Sequence, residues 1–369
     1  MRAVWDEIRA WAAVARILFQ YLLYRFGLRS RPTFLNHRPE CKHVIGRILR
    51  WPSRVRMVGV EHCPKQHPAV FCCNHIKKDD PFVVEACIYD ASGKNIWVIP
   101  MMRDDFFSAR HKTFLYDLNE LVDMFGTLHI SRGKVTLSQI RPFVEHLRSG
   151  GSFLMFPGRT RSCSGLFMEY REGIEEPGGP SFFAAQAQRS RPDLRVPIVP
   201  IARSYNPATR KTTVSFGAPL YLGPNVDRAA QRALDYQLIE AMEGCLEIHV
   251  SHLVATLLYA HRLHQRQPPI RIADIEKALR RVLAAIPNRR VDPAGQTDLL
   301  REIRATLRYF ARHGMLDVRD DLVYPKDAAI LAAPPLDRSY RDANPVKFLA
   351  NQIAHMQDVV HAVEDVLLF

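Results

Sequence analysis

Residues 74–81, NHIKKDDP, contain two side chains suited to acid–base chemistry, the imidazole of His75 and the carboxylate of Asp80. The segment follows a strand-like run and precedes a helical one. Aspartate before proline predicts a helix start, with Asp80 at the N-cap and Pro81 at the first helical position. A loop entering such a cap can fold back and bring the carboxylate to one ring nitrogen. The other nitrogen is then available as a general base.

Taken alone, this spacing has a second interpretation. Asp80 could serve only to cap the helix, and His75 could be an ordinary loop histidine. An H-x-x-x-x-D pair is a weak pattern, and further segments are needed to choose between the two interpretations.

Two later strand-like runs end in basic loops. Arg132 follows the run 127–130, and Arg159, Thr160, Arg161 and Ser162 follow the run 152–156. Guanidinium groups bind phosphate oxygens in pairs, so arginines that converge from these strand ends would form a phosphate clamp. Any one loop arginine is most often only solvated.

Residues 196–201, VPIVPI, form an apolar strand-like run that contains two prolines. Neither Pro197 nor Pro200 can donate a backbone hydrogen bond to a neighbouring strand. The run is therefore predicted to lie at a sheet edge or at a bulge.

In this order and spacing, the four segments resemble the motifs of the glycerolipid acyltransferase superfamily: N-H-x-x-x-x-D, G-x-x-F-I-x-R, F-x-E-G-T-R-S and V-P-I-V-P. The resemblance covers roughly residues 45 to 356. The helical tail also resembles that of the glycerol-3-phosphate and dihydroxyacetone-phosphate acyltransferase branch. The resemblance implies an α/β fold, a layered acyltransferase-type domain whose mixed sheet is flanked by helices.

The resemblance also implies roles for individual residues. His75 would take the proton from a glycerol hydroxyl while Asp80 holds the imidazole. The implied substrate-binding residues are Arg132, Thr160, Arg161 and Ser162, and Arg159 joins them only through its place in the same loop.

Two departures stand out in these motifs. Gly158 and Arg159 occupy the positions where the family has glutamate and then glycine, and Lys77 replaces a common serine. The acidic residue that helps bind the glycerol backbone is therefore absent from its usual position. This implies either a more anionic acceptor or a member of the family with altered activity.

The implied reaction moves a fatty acyl group from acyl-CoA or acyl-carrier protein, as cosubstrate, to the hydroxyl of glycerol-3-phosphate in phospholipid biosynthesis, with no metal and no other cofactor. Alternative acceptors are 1-acylglycerol-3-phosphate and dihydroxyacetone phosphate. An alternative of another class is a lipid-surface binding protein that kept the fold and lost catalysis. Acceptor, donor, acyl chain length and oligomeric state remain open at this point.

The charge of the chain favours a polyanionic partner. Its 369 residues include 51 Lys and Arg against 38 Asp and Glu, a formal charge of +13. An anionic membrane surface, an acidic carrier protein and a phosphorylated acceptor all fit this excess. Seven cysteines with no C-x-x-C pattern do not form a disulfide framework, and they fit a reducing cytoplasm.

A group of histidines and cysteines lies close together in the sequence and could bind zinc. Adjacent residues of a strand point to opposite faces, however, so Cys72 and Cys73 cannot serve one metal ion. Buried cysteines are therefore favoured over a metal site. The group comprises His62, Cys63, His67, Cys72, Cys73 and His75.

The chain divides into three predicted regions: an N-terminal amphipathic helix at 1–30, the α/β domain at 45–223 and a mostly helical region at 225–369. In the first, apolar residues recur every three or four positions among arginines. Such a helix can lie on an anionic bilayer at the cytoplasmic face, as in a peripheral membrane protein, or pack on the protein's own core. No stretch is long and apolar enough to predict a membrane-spanning helix.

Alternating patterns place strands and helices along the two larger regions. In the α/β domain, strands are predicted at 69–73, 95–100, 127–130, 152–156, 196–201 and 212–216, and helices at 81–89, 113–125, 135–148 and 181–187. In the last region, helices are predicted at 228–250, 252–263, 272–286, 297–312 and 345–368, with a hairpin at 315–324.

Helices followed by a hairpin on a basic chain could also form a winged-helix DNA reader. Acidic residues are interspersed among the arginines of this region, and no helix has a long basic face. The sequence therefore predicts no nucleic-acid partner.

Overall fold

The computed structural model describes residues 2–30, 54–103, 117, 120, 128–130, 136–158, 160–169, 179–189, 191, 193–223, 226–264, 269–333 and 340–367. The predicted helix at 113–125 lies almost entirely outside these ranges, as do residues 224 and 225 of the predicted linker. Within the described ranges, the chain forms a mixed sheet flanked by helices and a helical C-terminal region, as expected for the α/β class.

A seven-stranded sheet organises the first half of the chain. Its strands are β1 (Arg54–Val58), β2 (Val70–Cys73), β3 (Val98–Arg103), β4 (Leu128–Ile130), β5 (Ser152–Met155), β6 (Ile198–Asn206) and β7 (Lys211–Phe216). They lie in the order β1-β7-β6-β2-β5-β3-β4. Neighbours are parallel except β6 and β7, which are antiparallel. The carboxyl ends of β2 and β5 therefore meet at one edge, where the loops after residues 73 and 155 carry the predicted chemistry.

Helices cover both faces of this sheet. Helix α2 (Asp80–Ala91) packs on one face, while α3 (Leu137–Arg148) and α4 (Pro180–Arg189) pack on the other. Cys72 joins the core on the second face and Cys73 the core on the first. The prediction that these two thiols point to opposite faces is confirmed.

The VPIVPI strand was predicted to lie at a sheet edge or at a bulge, and the structure has the bulge: β6 lies between β2 and β7 in the sheet interior. Pro197 precedes the strand and its carbonyl accepts from Val70 N at 2.9 Å. Pro200 stands where the ladder with β7 begins, and its carbonyl accepts from Gly217 N at 2.9 Å. Ile198 pairs with Leu220 rather than with residue 219, so the opposing chain carries one extra residue there, as in a bulge.

The C-terminal region consists mainly of helices and contains a small three-stranded sheet. Its helices are α5 (Arg228–Cys245), α6 (Val250–Leu263), α7 (Ile272–Ala285), α8 (Pro293–Thr297), α9 (Leu299–Arg312), α10 (Asp327–Ile330), α11 (Tyr340–Ala343), α12 (Pro345–Gln352) and α13 (Gln357–Leu367). Strands β9 (Leu316–Arg319) and β10 (Leu322–Pro325) form the predicted hairpin, and β8 (Ile270–Arg271) pairs with β10.

One helix was predicted where α12 and α13 occur, and that prediction is wrong. The chain turns at residues 353–356, where the amide of Met356 bonds the carbonyl of Ile353 at 2.9 Å. Ile353 and Met356 are buried. Apolar turn residues prolong the hydrophobic periodicity, so the sequence pattern does not reveal the break.

A single buried apolar cluster runs from the sheet into the C-terminal helices. It includes Phe153 and Ile198 of the sheet, Met242 of α5, Leu253 of α6 and Phe348 of α12. The C-terminal region therefore shares its core with the sheet, and its helices can hold loops at the sheet edge in place.

Helix α1 (Arg2–Arg25) contacts the protein through its C-terminal part. The hydroxyl of Tyr21 receives a hydrogen bond from Asp117 N at 2.8 Å, and Arg25 donates to Glu120 at 2.9 Å. Large apolar side chains along the helix are exposed, namely Trp5, Ile8, Trp11, Leu18, Phe19 and Leu22. Among the described helices, none combines the length and the apolar character needed to cross a bilayer.

Candidate active site

Asp80 lies at the start of α2, one position later than predicted. The N-cap is Asp79, so Asp80 is the first helical residue and Pro81 the second. The carboxylate of Asp80 turns back towards the preceding loop, where its Oδ2 accepts from Ile76 N at 2.6 Å and Lys77 N at 2.7 Å. The prediction of an N-cap role for Asp80 is therefore wrong, and its carboxylate organises the loop instead.

The same Oδ2 lies 2.7 Å from Nδ1 of His75. A carboxylate can only accept, so the neutral ring carries its proton on Nδ1 and leaves a lone pair on Nε2. Asp80 is fully buried, whereas 12% of the His75 side chain is exposed. No described residue bonds to Nε2. The pair has the geometry of a base and the group that orients it.

Neighbouring groups fix the ring and its loop. The His75 ring stacks on Phe156, with centroids 4.4 Å apart, and the His75 carbonyl accepts from Ser162 N at 2.7 Å. The side-chain amide of Asn74 pairs with the backbone of Arg203 through bonds of 2.7 and 3.0 Å. The loops after β2 and β5 are thereby joined to each other and to β6.

The loop that carries Thr160, Arg161 and Ser162 is organised by Glu169. Its Oε2 accepts from Ser162 Oγ at 2.9 Å, Cys163 N at 2.7 Å and both Ser164 N and Oγ at 2.8 and 2.9 Å. The Ser162 hydroxyl also accepts from Gly165 N at 3.0 Å. This hydroxyl is thus used inside the loop, while Thr160 and Arg161 are partly exposed at its surface.

The C-terminal region holds this loop from outside. Tyr340 N donates to the Cys163 carbonyl at 2.9 Å, and the Asn351 amide donates to the Ser164 carbonyl at 2.8 Å. Gly165 has φ +92°, and a Cβ built on it would lie 2.1 Å from the Phe348 carbonyl oxygen. The close approach requires glycine.

Gly158, where the family resemblance implies glutamate, lies against the same segment. A Cβ at this position would contact the Met168 sulfur at 3.3 Å. The carboxylate of this loop comes from Glu169 instead. Arg132 and Arg159 lie outside the described residues, so the predicted convergence of arginines stays a prediction.

Arg203 was not identified from the sequence. Its side chain is fully buried and reaches the carboxylates of Asp79 and Asp80 at the start of α2. Burial raises the pKa of Asp80, but the Arg203 guanidinium, the His75 ring and the Lys77 amide outweigh it and hold that pKa below its ordinary value. The feature of the sequence that could have identified Arg203 is a charged residue within the alternating pattern of an apolar strand.

Within the described part of the chain, one group of side chains has the composition of a metal site, and it does not include His75: Glu247, His249 and Asp292. These side chains already have cationic partners. Arg56 contacts Glu247, and Lys211 Nζ lies 3.6 Å from Asp292. Their charges are therefore neutralised within the protein, and the group acts as a buried link between the sheet and the helical region.

Residues 54–204 match the family model described as Acyltransferase. No curated protein matches the chain. Among solved structures, the 1-acyl-sn-glycerophosphate (LPA) acyltransferase PlsC from Thermotoga maritima is 15% identical, with a TM-score of 0.40, over 66% of this chain and 95% of that one. The family match supports an acyltransferase domain at residues 54–204, the stretch that contains His75, Asp80 and Arg203.

Proposed function

We propose that the protein transfers a fatty acyl group from acyl-CoA or acyl-carrier protein to the hydroxyl of glycerol-3-phosphate. The observation that carries the proposal is the His75–Asp80 pair, with its 2.7 Å bond and a ring nitrogen that no described residue occupies. The match of residues 54–204 to acyltransferases supports the reaction class.

The reaction requires no protein nucleophile. His75 Nε2 takes the proton from the acceptor hydroxyl as its oxygen attacks the thioester carbonyl. The tetrahedral intermediate then collapses, the carbon–sulfur bond breaks, and the imidazolium returns the proton to the leaving thiolate. Asp80 holds the ring and stabilises the imidazolium, as an orienting carboxylate does in other base-assisted acyl transfers.

The phosphate of the acceptor would be bound by cationic side chains near the base. Arg161 is partly exposed in the loop that bonds to the His75 backbone, which supports this role, and Arg132 and Arg159 are proposed to join it. Thr160 and Ser162 belong to the same loop. The acceptors 1-acylglycerol-3-phosphate and dihydroxyacetone phosphate carry the same phosphate and are the alternatives.

An acceptor screen with one radiolabelled acyl thioester tests the proposal. We expect acylation of glycerol-3-phosphate together with release of free thiol. We also expect Arg161→Ala to raise the KM for the acceptor about 10- to 100-fold with a smaller change in kcat, because it removes a charged contact to the phosphate.

The matched control is Arg189→Ala, which removes an exposed arginine at the end of α4. It should leave both constants unchanged. An Arg161→Ala protein with the wild-type KM would exclude the phosphate contact. If no acceptor leads to consumption of the thioester, the alternative of a lipid-surface binding protein is favoured instead. That alternative is motivated by the absence of glutamate at position 158.

The protein is further proposed to bind, as a peripheral protein, to an anionic membrane at its cytoplasmic face. The exposed apolar side chains of α1 and the formal charge of +13 support a membrane surface as partner. The six described cysteines are free, which is compatible with a reducing compartment.

Binding to vesicles tests this proposal. The triple variant Trp5→Ser, Trp11→Ser, Phe19→Ser removes exposed aromatic area from α1, so we expect its partition onto anionic vesicles to fall about tenfold or more in sedimentation. The control Leu263→Ser changes an exposed apolar residue at the end of α6. Equal partition of wild type and triple variant would contradict the role of α1.

A further inference from the structure

Arg203 interrupts an otherwise apolar strand face. Val199 and Ile201 of β6 belong to the buried cluster under α2, and Arg203 follows them at the same two-residue spacing. Its side chain therefore points to the same face and reaches the first turn of α2. The side chain is fully buried, and a charged group is rarely buried without partners.

The partners of Arg203 are two carboxylates. One terminal nitrogen donates to Asp79 Oδ1 at 3.2 Å and also contacts Asp80 Oδ1, and the other donates to Asp79 Oδ2 at 3.4 Å. His75 uses the opposite oxygen of Asp80, Oδ2. The guanidinium and the imidazole thus bind the two oxygens of one carboxyl group.

Among the residues that the structure describes, the charges around this carboxyl group balance without His75. Lys77 Nζ lies 3.5 Å from Asp79, so two cations, Lys77 and Arg203, face two carboxylates. Burial raises the pKa of the Cys73 thiol well above its ordinary value, and burial also raises the pKa of Tyr205, so both are neutral at physiological pH. The carboxylates of Asp79 and Asp80 therefore have cationic partners other than His75. This suits a general base, which must be neutral before it takes a proton.

We propose that Arg203 is a positioning residue for acyl transfer: it is the permanent counter-ion that keeps Asp80 as a fixed carboxylate while His75 is neutral. The inference deepens the proposed function and rests on it. Without the guanidinium, Lys77 alone would face the two carboxylates, and it lies beside Asp79. The fully buried carboxylate of Asp80 would then depend on the imidazole as its counter-ion, so His75 would keep the proton that a general base must first be without.

The pH dependence of kcat/KM tests the inference. In Arg203→Met, we expect the apparent pKa of the acid limb to move upward by about one unit or more, with the rate at neutral pH reduced about tenfold and partly recovered at higher pH. Arg203→Lys retains a positive charge, so its acid limb should lie nearer that of the wild type. An Arg203→Met protein with a wild-type acid limb would overturn the inference.

A stability measurement tests the same pairing without catalysis. In the wild type, the pKa of Asp80 is depressed, so its contribution to stability is present above its unfolded-state pKa and is lost as pH falls. In Arg203→Met, burial raises this pKa, so the variant should lose stability relative to the wild type as pH rises from about 4 to 7. Thermal unfolding across that range measures the difference.

The double variant Arg203→Met, Asp80→Asn removes both charges and should restore folding at neutral pH if the single variant is unstable. Failure of Asp80→Asn to restore it, or a stability difference that does not change with pH, would contradict the inference. Absence of acyl transfer in the wild type would instead defeat the proposed function, and the unfolding experiment distinguishes these two failures.

Discussion

Replacing His75 with alanine is expected to lower kcat for acyl transfer about 10²- to 10⁴-fold, the usual contribution of a positioned general base. The acceptor hydroxyl would then have to lose its proton to water. Because Asp80 would still accept from Ile76 N and Lys77 N and contact Arg203, the loop should keep its conformation. Binding of the thioester and the acceptor should therefore change much less than kcat.

The measurement is thiol release together with transfer of radiolabel to the acceptor, at saturating concentrations of both substrates. His62→Ala is the matched control, since it removes a partly exposed imidazole from the same domain, and this imidazole lies 3.8 Å from the Glu61 carboxylate. A His75→Ala protein with the wild-type kcat would exclude the catalytic role. If circular dichroism shows that the variant is unfolded, its lower rate would come from lost stability and not from the missing base.

The His75–Asp80 pair was predictable because its geometry is local. The two residues are five positions apart, and the strand before them and the helix after them can both be recognised from the pattern. The exact helix start was less accessible from the sequence, because Asp79 and Asp80 are adjacent and chemically alike. The structure shows that Asp79 stands at the N-cap position without a capping side-chain bond, and that the carboxylate of Asp80 turns back to the loop.

Arg203 was not predictable in the same way, because it lies 123 positions from Asp80 in the sequence. Pairing of β2 with β6 brings the two together, and no local pattern specifies that pairing. The interior position of β6 was missed for a related reason. A proline argues against a central strand only where its missing N–H group would have bonded to a paired neighbouring strand. Pro200 does not meet this condition, because it stands at the point where the ladder with β7 begins.

The attachment of the Arg161 loop to the C-terminal region is also a long-range feature. Asn351 and Ser164 are 187 positions apart, and their bond depends on how α12 packs against the sheet domain. The sequence predicted helices in this region but not that they hold the loop beside His75. This contact is the basis of the second large effect that we expect.

Replacing Gly165 with alanine is expected to impair both stability and acceptor binding. At φ +92°, any Cβ is strained, and here it would lie 2.1 Å from the Phe348 carbonyl oxygen and 2.9 Å from two further backbone atoms. Either the loop or α12 must move. We expect the free energy of unfolding to fall by about 3 kcal/mol or more. A displacement of about 1 Å at a substrate contact can lower a rate about 10²-fold, so we also expect kcat/KM for the acceptor to fall by about this factor.

Gly150→Ala separates the contact from the backbone strain. Gly150 has φ +87°, close to that of Gly165, but a Cβ there meets nothing within 4 Å. This control should lose only about 1 to 2 kcal/mol, the penalty of a left-handed conformation, and should keep the wild-type kcat/KM. Chemical denaturation and acceptor titration measure both quantities for each variant. If the two variants lose the same stability and activity, the close contact between Phe348 and Gly165 does not hold the loop that carries Arg161. A larger loss in Gly165→Ala would show that α12 holds this loop.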